Sequence, residues 1–216
     1  RALARAENGF RATPLHWASF AGGKADLALF TPLWSNRLEI ARLLIGNGAD
    51  VNHADEEGMT ALHMASCDRG NYPIAVLLVS NGADVNATNN LGQAPLAFMT
   101  YGGPLEGVAF LLGHGADPGG PVGVEKTSIL HIAYRNTRGG DRKERCRLLL
   151  DKGGDVNARN IVGWTLLHFA AKAGDFDMAE FLLTRKADVN IRNDGGQTAL
   201  DVADGQGGKD KLRELY

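Results

Sequence analysis

Residues 60–86 read TALHMASCDRGNYPIAVLLVSNGADVN, and this stretch decides the fold because its two ends recur along the chain. The closing motif, Gly-Ala-Asp-Val-Asn, has full or partial copies at residues 48–52, 82–86, 115–118, 153–157 and 186–190. The opening motif, Thr-Ala-Leu-His, has related copies at residues 13–16, 60–63, 94–97, 128–131, 165–168 and 198–201. Successive closing motifs are 34, 33, 38 and 33 residues apart, so the chain is a tandem repeat.

The opening motif has the properties of a helix start. Thr or Ser at its head is a preferred N-cap, because the side-chain oxygen accepts a hydrogen bond from a first-turn amide. Proline in the next position, as at Pro14 and Pro95, suits the first helical residue, which needs no amide hydrogen. The leucine that follows is expected to point inward. The histidine is expected to bond the cap hydroxyl and a neighbouring loop.

Apolar residues at helical spacing indicate a second helix in each repeat, for example Ile74, Leu77 and Leu78. In most repeats this helix runs into a glycine, which readily takes the left-handed conformation that ends a helix. Lys186 stands where that glycine is expected. We therefore predict a strained or remodelled helix end at Lys186.

Both motifs and their spacing resemble the ankyrin repeat over essentially the whole chain. The resemblance implies an all-α solenoid, in which helix-turn-helix units with hairpin-like turns lie side by side. A single helical pair cannot bury its apolar face alone, so stacking creates the core. We predict one ankyrin repeat domain over residues 1–216, with about six repeats and the last one truncated: 8–54, 55–88, 89–119, 120–159, 160–192 and 193–216. Residues 1–7 are interpreted as the tail of a preceding helix.

Two repeats depart from the period. The first has about thirteen additional residues between its helices, and Thr31-Pro32 offers a fresh N-cap there, which predicts a second helix from Pro32 to Ile45. The apolar residues of this insertion are expected to cover the end of the stack, with partner binding as the alternative: Leu29, Phe30, Leu33 and Trp34. The fourth repeat has a smaller insertion in a basic stretch, 135–147, which predicts a solvated loop and helix start.

The composition favours a folded, soluble protein, with 44% apolar and 22% charged residues. No apolar run approaches the roughly 18 residues that a membrane-spanning helix needs, so we expect no membrane insertion. A net charge of -2 gives no reason to expect a nucleic-acid partner. Cys67 and Cys146 are too few for a disulfide framework and lack metal-ligand spacing. This favours a reducing, intracellular location, with the cytoplasm ahead of the nucleus.

No catalytic, cofactor or metal site is predicted, and we do not expect an enzyme. Gly120, Lys126 and Thr127 fall at the spacing of a phosphate-binding loop, but Glu125 stands where that loop requires glycine. His63 and Cys67 are four residues apart on a predicted helix, a spacing that brings a base near a nucleophile. The recurrence of histidine in the opening motif, at His16, His63, His131 and His168, favours a structural role for all four.

The ankyrin resemblance implies that a partner binds on the concave side, formed by the turn tips and the exposed face of each first helix. The residues that this mapping assigns to partner binding are Trp164, Tyr101, Ile161, Val162, Leu91, Met59, Glu56, Glu57, Arg135 and Phe20. Exposed aromatic residues and arginine are favoured as interface anchors, and Trp164 is the strongest candidate. The alternative for Trp164 is packing between adjacent turns.

The leading hypothesis is a protein-interaction scaffold or adaptor that binds another protein, with a monomer favoured over an oligomer. The alternatives are a targeting or regulatory segment of a larger enzyme or channel, and a domain that senses a small molecule or nucleotide. Residues 55–118 hold seven acidic and one basic residue, whereas residues 119–186 hold twelve basic and eight acidic residues. This predicts an acidic zone beside a basic zone, a pattern that orients a charged partner or simply keeps the protein soluble.

Overall fold

The computed structural model describes residues 7–20, 36–119, 121–122, 127–135 and 141–215. They belong to two compact halves, Arg1–Asp117 and Pro118–Tyr216. Most of the described residues outside the turns are helical. Within the described ranges, no helix is long and apolar enough to cross a bilayer.

In the N-terminal half, short first helices alternate with second helices. The first helices are α1 (Pro14–Ser19), α3 (Ala61–Ala65) and α5 (Pro95–Gly102), and the second helices are α2 (Arg37–Gly46), α4 (Tyr72–Ser80) and α6 (Leu105–Gly113). A 3-10 turn, Arg69–Asn71, precedes α4. First helices pack on first helices and second helices on second helices between neighbouring repeats. The shared core includes the fully buried side chains of Leu15, Leu62, Leu78, Leu96 and Leu111.

The C-terminal half repeats this arrangement with α7 (Ile129–Arg135), α8 (Arg142–Asp151), α9 (Leu166–Ala173), α10 (Phe176–Thr184), α11 (Ala199–Val202) and α12 (Gly205–Arg213). It also contains a two-stranded antiparallel hairpin, β1 (Pro121–Val122) and β2 (Thr127–Ser128), ahead of α7. Its core includes buried Leu130, Leu149, Leu167 and Leu182. The predicted all-α solenoid is therefore the fold, with one short hairpin added to the fourth repeat.

The caps predicted from the opening motif are present. Thr13, Thr60 and Thr165 have extended backbones and form capping boxes with the histidine three residues later. The second helices end where glycines take positive φ, for example Gly82 at 85° and Gly153 at 97°. Lys186 holds the equivalent position with a φ of 65°, a conformation that costs free energy for a residue with a Cβ atom. The predicted strain at Lys186 is confirmed.

The second helix of the first repeat differs from its prediction. It begins at Arg37, with Asn36 as its N-cap, and the predicted first residue, Pro32, lies outside the described residues. The Asn36 backbone lies outside the helical region at φ −110° and ψ 14°, so Arg37 is the first residue of this helix. Leu29, Phe30, Leu33 and Trp34 lie outside the described residues.

The charge of the basic stretch in the fourth repeat predicts a solvated loop and helix start, and this prediction is wrong for one arginine; residues 136–140 of the stretch lie outside the described residues. Arg145 on α8 has 0% of its side chain exposed. Its Nε and Nη2 atoms each donate a hydrogen bond to Asp141, both at 3.1 Å. This bidentate pair satisfies two of the guanidinium N–H groups and sets a negative charge beside the buried positive one, which helps the core to tolerate it.

Candidate partner-binding surface

Histidines of the opening motif fix the turn tips to the first helices. Thr60 donates its backbone N–H to His63 Nδ1 at 3.0 Å, and the Thr60 hydroxyl lies 2.9 Å from the same atom. His63 Nε2 donates to the carbonyl of Gln93, at the tip of the next repeat, at 3.0 Å. The same bridge joins His16 to Met59, His131 to Trp164 and His168 to Gln197. The structural role predicted for the four histidines is confirmed.

The asparagine of the closing motif forms a second link between repeats. Asn52 Nδ2 donates to the Gly82 carbonyl at 3.0 Å, and Asn52 Oδ1 accepts from the Asp84 amide at 2.8 Å. Asn86 makes the same two bonds to Gly115 and Asp117. Both of these turns are therefore held by an asparagine side chain of the repeat before them.

The tips are also bonded directly to one another. The Glu56 amide donates to the Phe10 carbonyl at 3.1 Å, and the Asn90 amide donates to the Glu57 carbonyl at 2.9 Å. Within a tip, Asp55 Oδ1 accepts from the amides of Glu57 and Met59, both at 2.9 Å. These bonds fix the backbone from which the tip side chains project, and a surface that is ordered in advance lowers the entropic cost of any contact it makes.

Most of the predicted partner-binding residues are exposed on these tips and first helices. The tips present Glu56, Glu57, Leu91, Ile161 and Val162 to solvent. Exposed side chains at the ends of first helices are Phe20, Tyr101 and Arg135.

Met59 is a wrong assignment, because only 8% of it is exposed. Its amide is held by Asp55 and its carbonyl accepts from His16, so the backbone turns its side chain inward. The Met59 Sδ atom lies 3.3 Å from Asn89 Nδ2 of the next tip. Met59 therefore packs between two repeats and is not presented to a partner.

Trp164 is half-buried, and its ring contacts explain why. The ring centroid lies 5.1 Å from that of Phe169 and 5.8 Å from that of His168. The Trp164 carbonyl accepts from His131 of the preceding repeat. This geometry favours the packing alternative, so we expect substitution of Trp164 to lower stability as well as change the surface.

A groove of about 410 Å³ lies over the first two repeats, within the volume range of about 300–1,000 Å³ usual for ligand sites. Two of its aromatic residues are not among those predicted from the sequence to bind a partner. They are Phe10, which is 71% exposed, and Trp17, which is 60% exposed. Phe10 stands three residues before its N-cap, as Leu91 and Val162 do, and that register could have revealed it. Its lining includes three aromatic and three acidic residues: Phe10, Trp17, Phe20, Asp55, Glu56 and Glu57.

The geometry gives Cys67 and His63 no joint catalytic role. Cys67 Sγ donates to the backbone carbonyl of His63 at 3.4 Å, and the His63 ring is occupied by Thr60 and Gln93. Burial raises the pKa of the Cys67 thiol to about 11, so it is not a thiolate near neutral pH. Among the residues that the structure describes, histidine, cysteine and carboxylate side chains form no cluster of three or more suited to a metal ion.

Two family models match the chain. One, described as ankyrin repeats (3 copies), matches residues 27–121, and the other, described as ankyrin repeats (many copies), matches residues 148–203. Among similar solved structures is the ankyrin repeat domain of Bcl-3, described as a unique member of the IkappaB protein family. It has a TM-score of 0.73 and 29% identity, and covers 97% of this chain and 86% of that chain.

Two further structures share the fold. The human ASB11 ankyrin repeat domain has a TM-score of 0.74 at 22% identity, covering 99% of this chain and 87% of that chain. A chain from the complex between the predatory endopeptidase Bd0816 of Bdellovibrio bacteriovorus and immunity protein Bd3460 has a TM-score of 0.72 at 26% identity. It covers 98% of this chain and 100% of that chain.

Proposed function

Because the chain belongs to the ankyrin repeat family, we propose that it is a protein-binding adaptor whose tips and first helices contact another protein. Ankyrin repeats are generally protein-interaction modules and typically carry no catalytic site. One similar structure comes from a complex between an endopeptidase and an immunity protein, which supports binding of a protein as the role of this fold.

The distribution of exposed apolar side chains carries the proposal. Of the eight large apolar residues exposed within the described ranges, seven lie on tips or at first helices: Phe10, Trp17, Phe20, Leu91, Tyr101, Ile161 and Val162. The eighth, Leu43, is on the second helix α2. Folding alone gives no reason to collect exposed aromatic and aliphatic groups on one kind of surface, whereas protein recognition does.

The test is cross-linking capture of partners with two double variants, Leu91→Ser/Tyr101→Ser and Ile161→Ser/Val162→Ser. We expect recovery of the captured protein to fall about tenfold for at least one of them, because each removes two anchors from the proposed surface. Leu43→Ser is the matched control, since it removes an equally exposed leucine, 59% accessible, from a second helix.

Circular dichroism and thermal unfolding must show that all three variants remain folded. Recovery that stays unchanged in both double variants, or that falls equally in Leu43→Ser, contradicts the proposed binding surface.

A further inference from the structure

The groove over the first two repeats combines aromatic surface with negative charge. Phe10 and Trp17, both exposed, supply aromatic surface, and Asp55, Glu56 and Glu57 are acidic residues of the same lining. Among the described residues that line it, none is lysine or arginine. The lining therefore offers apolar contact and acceptors but no cationic partner for the acids.

The two glutamates are held in place through their backbones. The carbonyls of Glu56 and Glu57 accept from Asn90 Nδ2 and the Asn90 amide, at 2.8 Å and 2.9 Å. Within the described part of the chain, their carboxylates form no hydrogen bond or ion pair. Their backbones are thus fixed beside the groove, and their exposed carboxylates are available to a ligand.

Three basic groups near the groove have partners other than these carboxylates, and one of them, Arg37, donates from Nη1 to the Phe20 carbonyl at 3.0 Å. Arg11, the arginine nearest to Phe10 in sequence, points its Nε atom at Glu7, 3.7 Å away. His16 lines the groove, but burial lowers its pKa, so its ring is neutral near pH 7. Its two nitrogens are also occupied by Thr13 and by the Met59 carbonyl.

We propose that this groove binds an arginine-containing segment of the partner protein, with the guanidinium between Glu56, Glu57 and the face of Trp17. The proposal rests on the proposed protein-binding function and names the chemistry of the partner. Tryptophan is the best aromatic partner for a cation. Arginine fits better than lysine, because its planar guanidinium stacks on a ring while its N–H groups donate to carboxylates. The guanidinium is also more weakly hydrated than the lysine ammonium, so its desolvation costs less free energy.

The test uses two immobilised pools of short peptides that differ only in one central residue. One pool has arginine there and the other has citrulline, its neutral isostere, and both have the same randomised flanks. We expect the arginine pool to retain the protein and the citrulline pool to fail. Equal retention on both pools, or no retention on the arginine pool, overturns the proposal.

The dissociation constant is then measured by fluorescence anisotropy for one enriched arginine peptide. Glu56→Gln/Glu57→Gln should weaken binding about five- to tenfold, since two exposed ion pairs are lost. Trp17→Leu should weaken it about fivefold through loss of the cation–π contact.

Glu106→Gln/Glu180→Gln is the matched control, because both residues are exposed acids on second helices and the net charge changes equally. If binding weakens as much in this control, the proposed arginine site is overturned, since the loss would then come from the change in net charge of the protein. The two proposals fail separately. If the peptide test fails while Leu91→Ser/Tyr101→Ser still loses captured protein, only the arginine site is lost.

Discussion

The Nε2 atom of His63 lies 3.0 Å from the carbonyl oxygen of Gln93, thirty residues away in the tip of the next repeat. Because a carbonyl only accepts, Nε2 carries the hydrogen, and Nδ1 is left to accept from the Thr60 amide. One neutral imidazole therefore completes a helix cap and fixes the adjacent tip. The same ring holds in place the backbone that presents the neighbouring binding residues.

His63→Ala should lower the free energy of unfolding by about 3 kcal/mol, because it leaves the Thr60 cap and the Gln93 carbonyl without their partner in a buried site. Urea unfolding at neutral pH measures the loss. His114→Ala is the comparison, since His114 is exposed and bonds only to the carbonyl of Phe110 in its own helix. Similar losses for the two variants would contradict the role of the bridge.

Stability should fall as the pH is lowered from about 6.5 to about 4. Burial lowers the pKa of His131 to about 4, whereas an unfolded histidine titrates near 6.5. In this pH window the unfolded chain binds a proton at His131 and the folded chain does not. The free energy of unfolding therefore falls by roughly 3 kcal/mol by the time the pH reaches about 4. Burial lowers the pKa of His16, His63 and His168 as well, so their effects have the same sign.

Urea midpoints between about pH 7.5 and about pH 4.5 measure this dependence. In His131→Gln the protein should be less stable at neutral pH, and its midpoint should change less with pH. A midpoint that is independent of pH across the window would rule out neutral buried histidines as the cause.

The sequence alone predicts structural roles correctly at positions that carry the same residue type in successive repeats. Thr60 and His63 have counterparts in sister repeats, so their roles could be inferred from repetition together with capping chemistry. Lys186 was identified by the same argument, as a departure from a position that glycine otherwise holds.

Residues outside that register were predicted less well. The repeat motif does not predict which side chains of a tip point into the core. Their direction depends on hydrogen bonds within the tip, such as the bond from the Met59 amide to Asp55. Trp17 was missed because other repeats place Met64 and Phe98, which are only partly exposed, at the same helical position. Arg145 is charged, which predicts exposure, and its bidentate contact to Asp141 in the core has no sequence counterpart in a sister repeat.

Lys186→Gly should stabilise the protein by about 1 kcal/mol. A left-handed backbone at φ 65° is strained for lysine but not for glycine, and the helix-ending bond from the Ala187 amide to the Leu182 carbonyl is kept. The reciprocal change, Gly153→Ala, places a Cβ atom at φ 97° and should cost about 1 kcal/mol. Thermal unfolding of both variants tests the two predictions. The melting temperature must rise in Lys186→Gly and fall in Gly153→Ala.

Arg145→Ala should destabilise the protein by about 3 kcal/mol, because it removes a fully buried guanidinium and leaves Asp141, only 20% exposed, without its bidentate partner. Arg145→Lys should lower the free energy of unfolding by less, since the positive charge remains and only the two parallel hydrogen bonds are lost. Arg147→Ala serves as the control: this neighbouring arginine pairs with Glu144 and Asp151 in solvent, where ion pairs contribute little. Urea unfolding should therefore rank Arg145→Ala as the least stable of the three, and an equal loss in Arg147→Ala would show that burial of the pair is not what stabilises this helix.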